Sequence, residues 1–403
     1  MVIFALYIVM TVGAYVQAKQ TARPTGGEFG IDYRILYTAG QTALAGDADQ
    51  IYDSPSQNAR ILQDTGLEIP EDNHWLYPPT LLLTLVSALS VLPFRVSYLV
   101  WLAATLVLAV LGCAAMLPKR KSLSLVALSF PAVMYNFSWG QNGFLSTALL
   151  AAGIGFMETS PVLSGLMFGL LTYKTWLAVF PFLILLVTRN WKVLGWSALF
   201  TGLTLLLSLA IYGSETWQAF FHQLFTTGTA LFDANWWIIA DIQPSLMMAL
   251  RVMGINGVPL YVIITLVSIA ATVVIARIFR NTNRVALRGS AMVLGIFVVI
   301  PYFIEYDLML LSIPTILLIY DCMQEGAGKT DAAVIVVLWL MPMVNLILVS
   351  ATRIQISPFV AMVLLIYVFL RAKRSGLCTP DSNRVAQDDL SSAQPQKSSM
   401  NTQ

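Results

Sequence analysis

The sequence predicts an all-α polytopic membrane protein, and three observations carry that reading. Apolar runs of roughly 16 to 24 residues recur along most of the chain, the length needed to cross about 30 Å of hydrocarbon. Charged residues make up 11% of the chain and hydrophobic ones 57%, where a soluble domain carries about 25% charge; mean hydropathy is +0.74. The basic residues are gathered in short clusters between the runs, as they are in the cytoplasmic loops of membrane proteins. Hydrocarbon offers no hydrogen bonds, so each run must pair its own backbone and be a helix.

The elements follow in order. Residues 2–17 form a retained first transmembrane helix; they lack the basic leader and small-residue exit of a cleaved signal. Residues 18–78 form a polar loop with nine acidic residues, closing on His74-Trp75-Leu76-Tyr77-Pro78-Pro79. A membrane domain, 79–372, comes next, with apolar segments at 80–92, 95–117, 123–138, 143–158, 161–173, 175–188, 193–212, 258–279, 287–304, 306–321, 331–350 and 355–371. About 10–12 of these cross. A second large loop spans 213–257. The tail, 373–403, is polar without apolar periodicity and reads as a disordered cytoplasmic extension.

Orientation comes from Lys119-Arg120-Lys121, from Arg189 with Lys192, from Arg277, Arg280, Arg284 and Arg288, and from Arg371, Lys373 and Arg374. Placing all four clusters in the cytoplasm puts 213–257, 301–307 and 350–355 outside. Trp139–Asn142 and Lys174 join them if 161–173 and 175–188 make a short hairpin. A cytoplasmic start for 2–17 puts the acidic first loop there too. Segment 80–92 then has to be re-entrant or merge with its neighbour, because an odd number of crossings separates that loop from the Lys119 cluster.

Composition also excludes. A net charge of +2 provides no basic field for nucleic acid. Three scattered cysteines and two separate histidines build no disulfide or metal framework, and no cofactor is expected. No internal repeat is visible, so the inverted-repeat signature of many transporters is missing.

Residues able to carry chemistry stand in the outer loops. Asp32 precedes Ile35, Leu36, Ala39, Ala43 and Leu44 at helical spacing, so an amphipathic helix on the membrane surface follows it. Asp32 is either that helix's N-cap or a general base for an attacking hydroxyl. Lys174 interrupts an apolar run; it is a turn lysine reaching the headgroups or a phosphate partner. Gln141 and Asn142 form a polar turn able to donate and accept hydrogen bonds. Glu305 and Asp307 either solvate a turn or bind sugar hydroxyls. His74 reads as structural, with a substrate contact as the alternative. Trp217, Trp236 and Trp237 are interfacial aromatics or sugar platforms. Together, Asp32, His74, Gln141, Asn142, Lys174, Glu305 and Asp307 fall on one membrane face.

In these residues the chain resembles glycosyltransferase family 87. The resemblance rests on Asp32-Tyr33, Tyr37-Thr38-Ala39-Gly40, Leu44-Ala45-Gly46, Ile51-Tyr52-Asp53, Leu76-Tyr77-Pro78-Pro79, Leu92-Pro93, Trp101, Pro131, Gly140-Gln141-Asn142, Gly165 to Gly169, Lys174, Pro181 and Tyr306-Asp307. These fall in order over about residues 30 to 310. The resemblance implies a GT-C-type fold and an inverting transfer of a sugar, mannose favoured, from a polyprenyl-phosphate donor to a glycolipid or polysaccharide acceptor. It implies Asp32 as base; Lys174, Gln141, Asn142, His74, Tyr77, Glu305 and Asp307 as substrate-binding residues; and the cell (inner) membrane as location. Two other readings stand beside it: a lipid-linked glycan transporter or flippase without catalysis, and a non-catalytic envelope subunit.

Overall fold

The computed structural model describes residues 2–10, 30–65, 74–230 and 236–376. Among them it is helical, with no strand; the protein is an all-α polytopic membrane protein. Among the described residues, six runs are long and apolar enough to cross a bilayer. Two shorter apolar helices, Gly143–Phe156 and Val285–Val299, add to them. Both short helices are buried along nearly their whole length. A helix apolar all round belongs in a core, so these two sit inside the bundle with the longer helices around them.

Glycines and alanines set the closest approach. A Cβ on Gly112 of Phe94–Ala115 would lie 2.4 Å from the Ala148 carbonyl oxygen. Gly155 meets Ala115 in the same way, so Phe94–Ala115 and Gly143–Phe156 run parallel at backbone contact. Gly165 faces Trp196 and Gly169 faces Phe200; Pro161–Leu170 therefore runs parallel to Trp191–Gln223. Ser160 and Asn190 cap these last two helices, accepting from Leu163 N and Val193 N at 3.4 Å each.

The apolar run Pro161–Val187 is long enough to cross once, yet it folds back on itself. A straight helix of that length would hold its ends about 40 Å apart. Instead Glu158 and residues 187–190 line one cavity with Arg280 and Arg288, and Arg288 pairs with Glu158 at 2.7 Å. The fold-back is the 3-10 turn Leu171–Lys174, so the expected hairpin is present with Lys174 at its tip.

Segment 123–138, expected as one helix, divides. Lys121–Ser129 is a 3-10 helix and Val133–Trp139 an α-helix. Phe130 between them is extended, with ψ 131°, because Pro131 disfavours an α conformation in the residue before it. Segment 80–92 does not cross. It becomes the 3-10 helix Pro79–Leu83 and the short helix Leu85–Leu89. Ser90 Oγ then donates to Tyr37 O at 2.9 Å, and Tyr37 Oη to Leu92 O at 2.9 Å. The segment enters and returns at the same end, which removes the parity conflict.

The ends of the bundle differ in charge. At one end Asp321 accepts from Arg284 Nε at 2.8 Å and Arg371 Nε at 2.7 Å, and Arg371 also reaches Asp331 at 2.7 Å. At the opposite end Ile31–Leu44, the start of Gly143–Phe156, Lys174 and Glu305–Leu311 come together. Of the first helix, 2–10 are described. Phe4 meets the Phe137 ring at 6.2 Å and Tyr7 donates to Ser129 O at 3.2 Å. Residue 4 therefore lies nearer the Trp139 end than residue 7, opposite to the cytoplasmic start expected of 2–17. Residues 11–29 and 377–403, the latter covering most of the expected tail, lie outside the described residues; Ser357–Gly376 carries its helix past the expected boundary at 372.

Replacing Gly112 by Val forces the Ala148 backbone away and should lower stability by about 1–3 kcal/mol. Gly195→Ala, in open space, should be neutral or stabilising by up to about 1 kcal/mol. Thermal unfolding of the detergent-purified protein measures both.

Candidate active site

Ile31–Leu44 is the amphipathic helix expected after Asp32, but it is enclosed on more than one side. Tyr33, Leu36, Tyr37, Ala39 and Thr42 are buried. Tyr33 packs against Tyr98 at 5.4 Å and Trp101 at 5.7 Å, and its hydroxyl meets Ser97 Oγ at 2.6 Å. The helix start is pinned by Gly30 N donating to Ser138 O at 2.7 Å. Gly30 is the N-cap residue, with φ +76° and no side-chain cap. The N-cap alternative for Asp32 therefore falls: Asp32 lies within the first turn, its carboxylate hydrogen-bonded by the Gln141 side chain.

Gln141 and Asn142 reach that position because Val133–Trp139 ends at Gly140, whose φ of +72° reverses the chain. A Cβ there would lie 2.6 Å from Tyr33 Cβ, and the Gly140 carbonyl accepts from Trp101 Nε1 at 3.0 Å. Glycine provides both the left-handed backbone and the space. Tyr77 Oη donates to Gln141 Oε1 at 3.3 Å and lies 3.2 Å from Tyr306 Oη.

Lys174 is fully buried. Its ammonium donates to Asp307 Oδ1 at 2.5 Å and Asn142 Oδ1 at 2.9 Å, and sits 4.7 Å from the centre of the Tyr306 ring. Asp307 Oδ2 accepts from Ile304 N at 3.4 Å. Glu305 accepts from Trp139 Nε1 at 3.0 Å and lies within electrostatic reach of Asp32. The structure thus joins Asp32, Tyr77, Gln141, Asn142, Lys174, Glu305 and Asp307 in one network. It places His74 elsewhere: Nδ1 lies 2.7 Å from Ser54 Oγ and 3.4 Å from Gln223 Nε2.

Burial pushes the Asp32 carboxyl up to about 6, with the Gln141 hydrogen bond opposing. At neutral pH it is ionised and still basic enough to take a proton, which is what a general base requires.

The aromatic wall was not anticipated. Trp176 packs between Tyr77, tilted at 5.5 Å, and Tyr302, edge-on at 5.2 Å, and its Nε1 is a buried donor with no acceptor among the described residues. Trp176 follows Lys174 by two residues, and the hairpin turn brings both to the site. The tryptophans considered from sequence make other contacts. Trp217 packs on Phe220 at 5.7 Å, Trp236 lies 5.8 Å from Arg251, and Trp237 is exposed. Asp241, beside them, pairs with Arg353.

An ionisable, hydrogen-bonded cluster at one end of an apolar helix bundle marks the candidate site. The family model of glycosyltransferase family 87 matches residues 75–301. That is more than half of the chain, and the chain belongs to this family: it is a glycosyltransferase. The match takes in Tyr77, Gln141, Asn142 and Lys174; Asp32 precedes it, and Glu305 and Asp307 follow it directly. No curated protein and no solved structure matches the chain.

Because Lys174 and Asp307 neutralise one another in a dry setting, Lys174→Met or Asp307→Asn should each destabilise the fold by about 3–5 kcal/mol. The double variant Lys174→Met/Asp307→Leu should recover part of that loss. Thermal unfolding of the three variants reads this coupling.

Proposed function

We propose that the protein transfers a sugar, mannose favoured, from a polyprenyl-phosphate donor to a glycolipid or polysaccharide acceptor, with inversion at the anomeric carbon. In this reading the architecture is GT-C-type, the protein resides in the cell (inner) membrane, and the site opens on the extracytoplasmic face. The observation that carries it is a carboxylate, Asp32, tuned to about 6 and set in a polar network. The arginine-rich end is cytoplasmic by the positive-inside rule, which leaves Asp32 on the other side.

Asp32 accepts the proton of the acceptor hydroxyl as that oxygen bonds to the anomeric carbon. The carbon–oxygen bond to phosphate breaks on the opposite side, and polyprenyl phosphate leaves with the bonding pair. The Gln141 side chain orients the Asp32 carboxylate. Trp176 Nε1 and the tyrosine hydroxyls offer hydrogen bonds to sugar or phosphate oxygens. Lys174 enters as a positioning residue. Its hydrogen-bonding capacity is taken up by Asp307, Asn142 and the Tyr306 ring, so it holds the Tyr306-Asp307 segment against the Gln141-Asn142 turn.

An apolar groove supports a prenyl donor. Its volume is about 730 Å³, and it starts at Thr80 and Thr172, a few residues beyond Tyr77 and just short of Lys174. It continues past Leu108 and Ala148 toward Ala115 and Phe156. Such a slot accepts an isoprenoid chain lying along the bundle while the phosphate stays near the site.

Purified protein supplied with polyprenyl-phosphate-mannose and a glycolipid acceptor should form product. Asp32→Asn should lower turnover by about 10²–10⁴ with the fold intact. Lipid movement across the bilayer without bond formation, insensitive to Asp32→Asn, would instead establish transport. Because protonated Asp32 cannot accept a proton, kcat/KM should be level near neutrality. It should fall about tenfold per pH unit well below about 6, and a pH profile measures that limb.

A further inference from the structure

At the arginine-rich end, away from Asp32, a cavity of about 960 Å³ lies between the ends of Gly257–Asn281 and Ser357–Gly376 and the start of Lys329–Thr352. Arg280, Arg284, Arg371 and Arg374 line it with two acids, Glu325 and Asp331. The acids are committed. Asp331 accepts from Gly328 N at 2.6 Å, from Arg371 at 2.7 Å and from the Tyr367 hydroxyl. Glu325 faces Arg284 at 3.8 Å, and Asp321 behind the wall ties Arg284 to Arg371. Arg280 and Arg374 make no ion pair among the described residues, and they border the same space. Arg280 also borders the neighbouring cavity of about 530 Å³, where Arg189 likewise has no carboxylate partner among the described residues.

Lone arginines near helix ends are ordinary where they project into water and complement the helix dipole. These two are exposed but also line a shared concavity, beside the neutral polar side chains Asn281, Asn283 and Thr330. Guanidinium groups match phosphate oxygens in bidentate geometry, and the volume falls in the range of small-ligand sites. Half-exposed Leu370 lies on the same wall, giving an acyl chain an apolar exit. We propose that this basin binds a phosphate-bearing anion, with Arg280 and Arg374 as its cationic contacts and an anionic phospholipid headgroup as the source.

The test uses the full chain in phosphatidylcholine nanodiscs, with native mass spectrometry to count bound dioctanoyl-phosphatidylglycerol. Inorganic pyrophosphate serves as a probe without an acyl chain. Arg280→Gln/Arg374→Gln should weaken phosphatidylglycerol binding about tenfold or more. Lys192→Gln/Arg277→Gln removes the same charge from residues outside the cavity and should leave binding unchanged. Arg280→Lys/Arg374→Lys should fall between, since charge remains and the fork is lost. Pyrophosphate binding that the Gln pair abolishes, without lipid binding, would keep the phosphate site and assign it to a soluble anion. Equal loss in both Gln pairs, no loss in either, or binding of neither probe overturns the proposal.

Discussion

The Lys174–Asp307 ion pair is the contact on which the site depends. Two opposite charges removed from water are tolerated when each finds a short partner and the remaining hydrogen-bonding capacity is met. Asp307 and Asn142 take two donor directions of the ammonium, and the Tyr306 ring faces the third. Three parts of the chain far apart in sequence are thereby locked: the tip of the Pro161–Val187 hairpin, the Gln141-Asn142 turn and the start of Glu305–Leu311. Without that lock each would be a separate loop at a membrane surface.

Asp32 is set against this frame from outside. Its helix is held by aromatic packing around Tyr33 and by Gly30 bonded to Ser138. A carboxylate in the first turn of a helix is favoured by the exposed N–H groups, and Gln141 favours it further. Burial outweighs both and lifts its proton affinity toward neutrality. The two acids closest to the network's centre therefore differ in role. Asp307 is neutralised by a cation; Asp32 takes a hydrogen bond from Gln141 and is the base we propose.

Much of this could be read in the residues, and the failures have physical causes. The hairpin at Lys174 was legible because a lysine cannot rest inside an apolar run without a turn or a partner. The seven-residue convergence followed from Lys and Arg clusters alone, except for His74. Nothing local in His74 distinguishes a neighbour of Ser54 from a neighbour of Asp32. The break in 123–138 was signalled by Pro131, but its apolar flanks concealed it. The N-cap alternative for Asp32 failed because Gly30, two residues earlier, adopts the left-handed backbone that starts the helix. Trp176 and Tyr302 carried no signal, because aromatic residues in apolar runs are ordinary packing material.

The sequence by itself determined the class, the order of the membrane segments, the family and the candidate acid at residue 32. Hydrophobic length, charge placement and short motifs are local properties, and they survive in a linear string. Tertiary structure alone decided that Lys174 spends its charge on Asp307, that Gln141 orients Asp32, and that 80–92 returns without crossing. Each of these depends on which distant partner occupies the last few ångströms around a buried polar atom, and no local pattern encodes that.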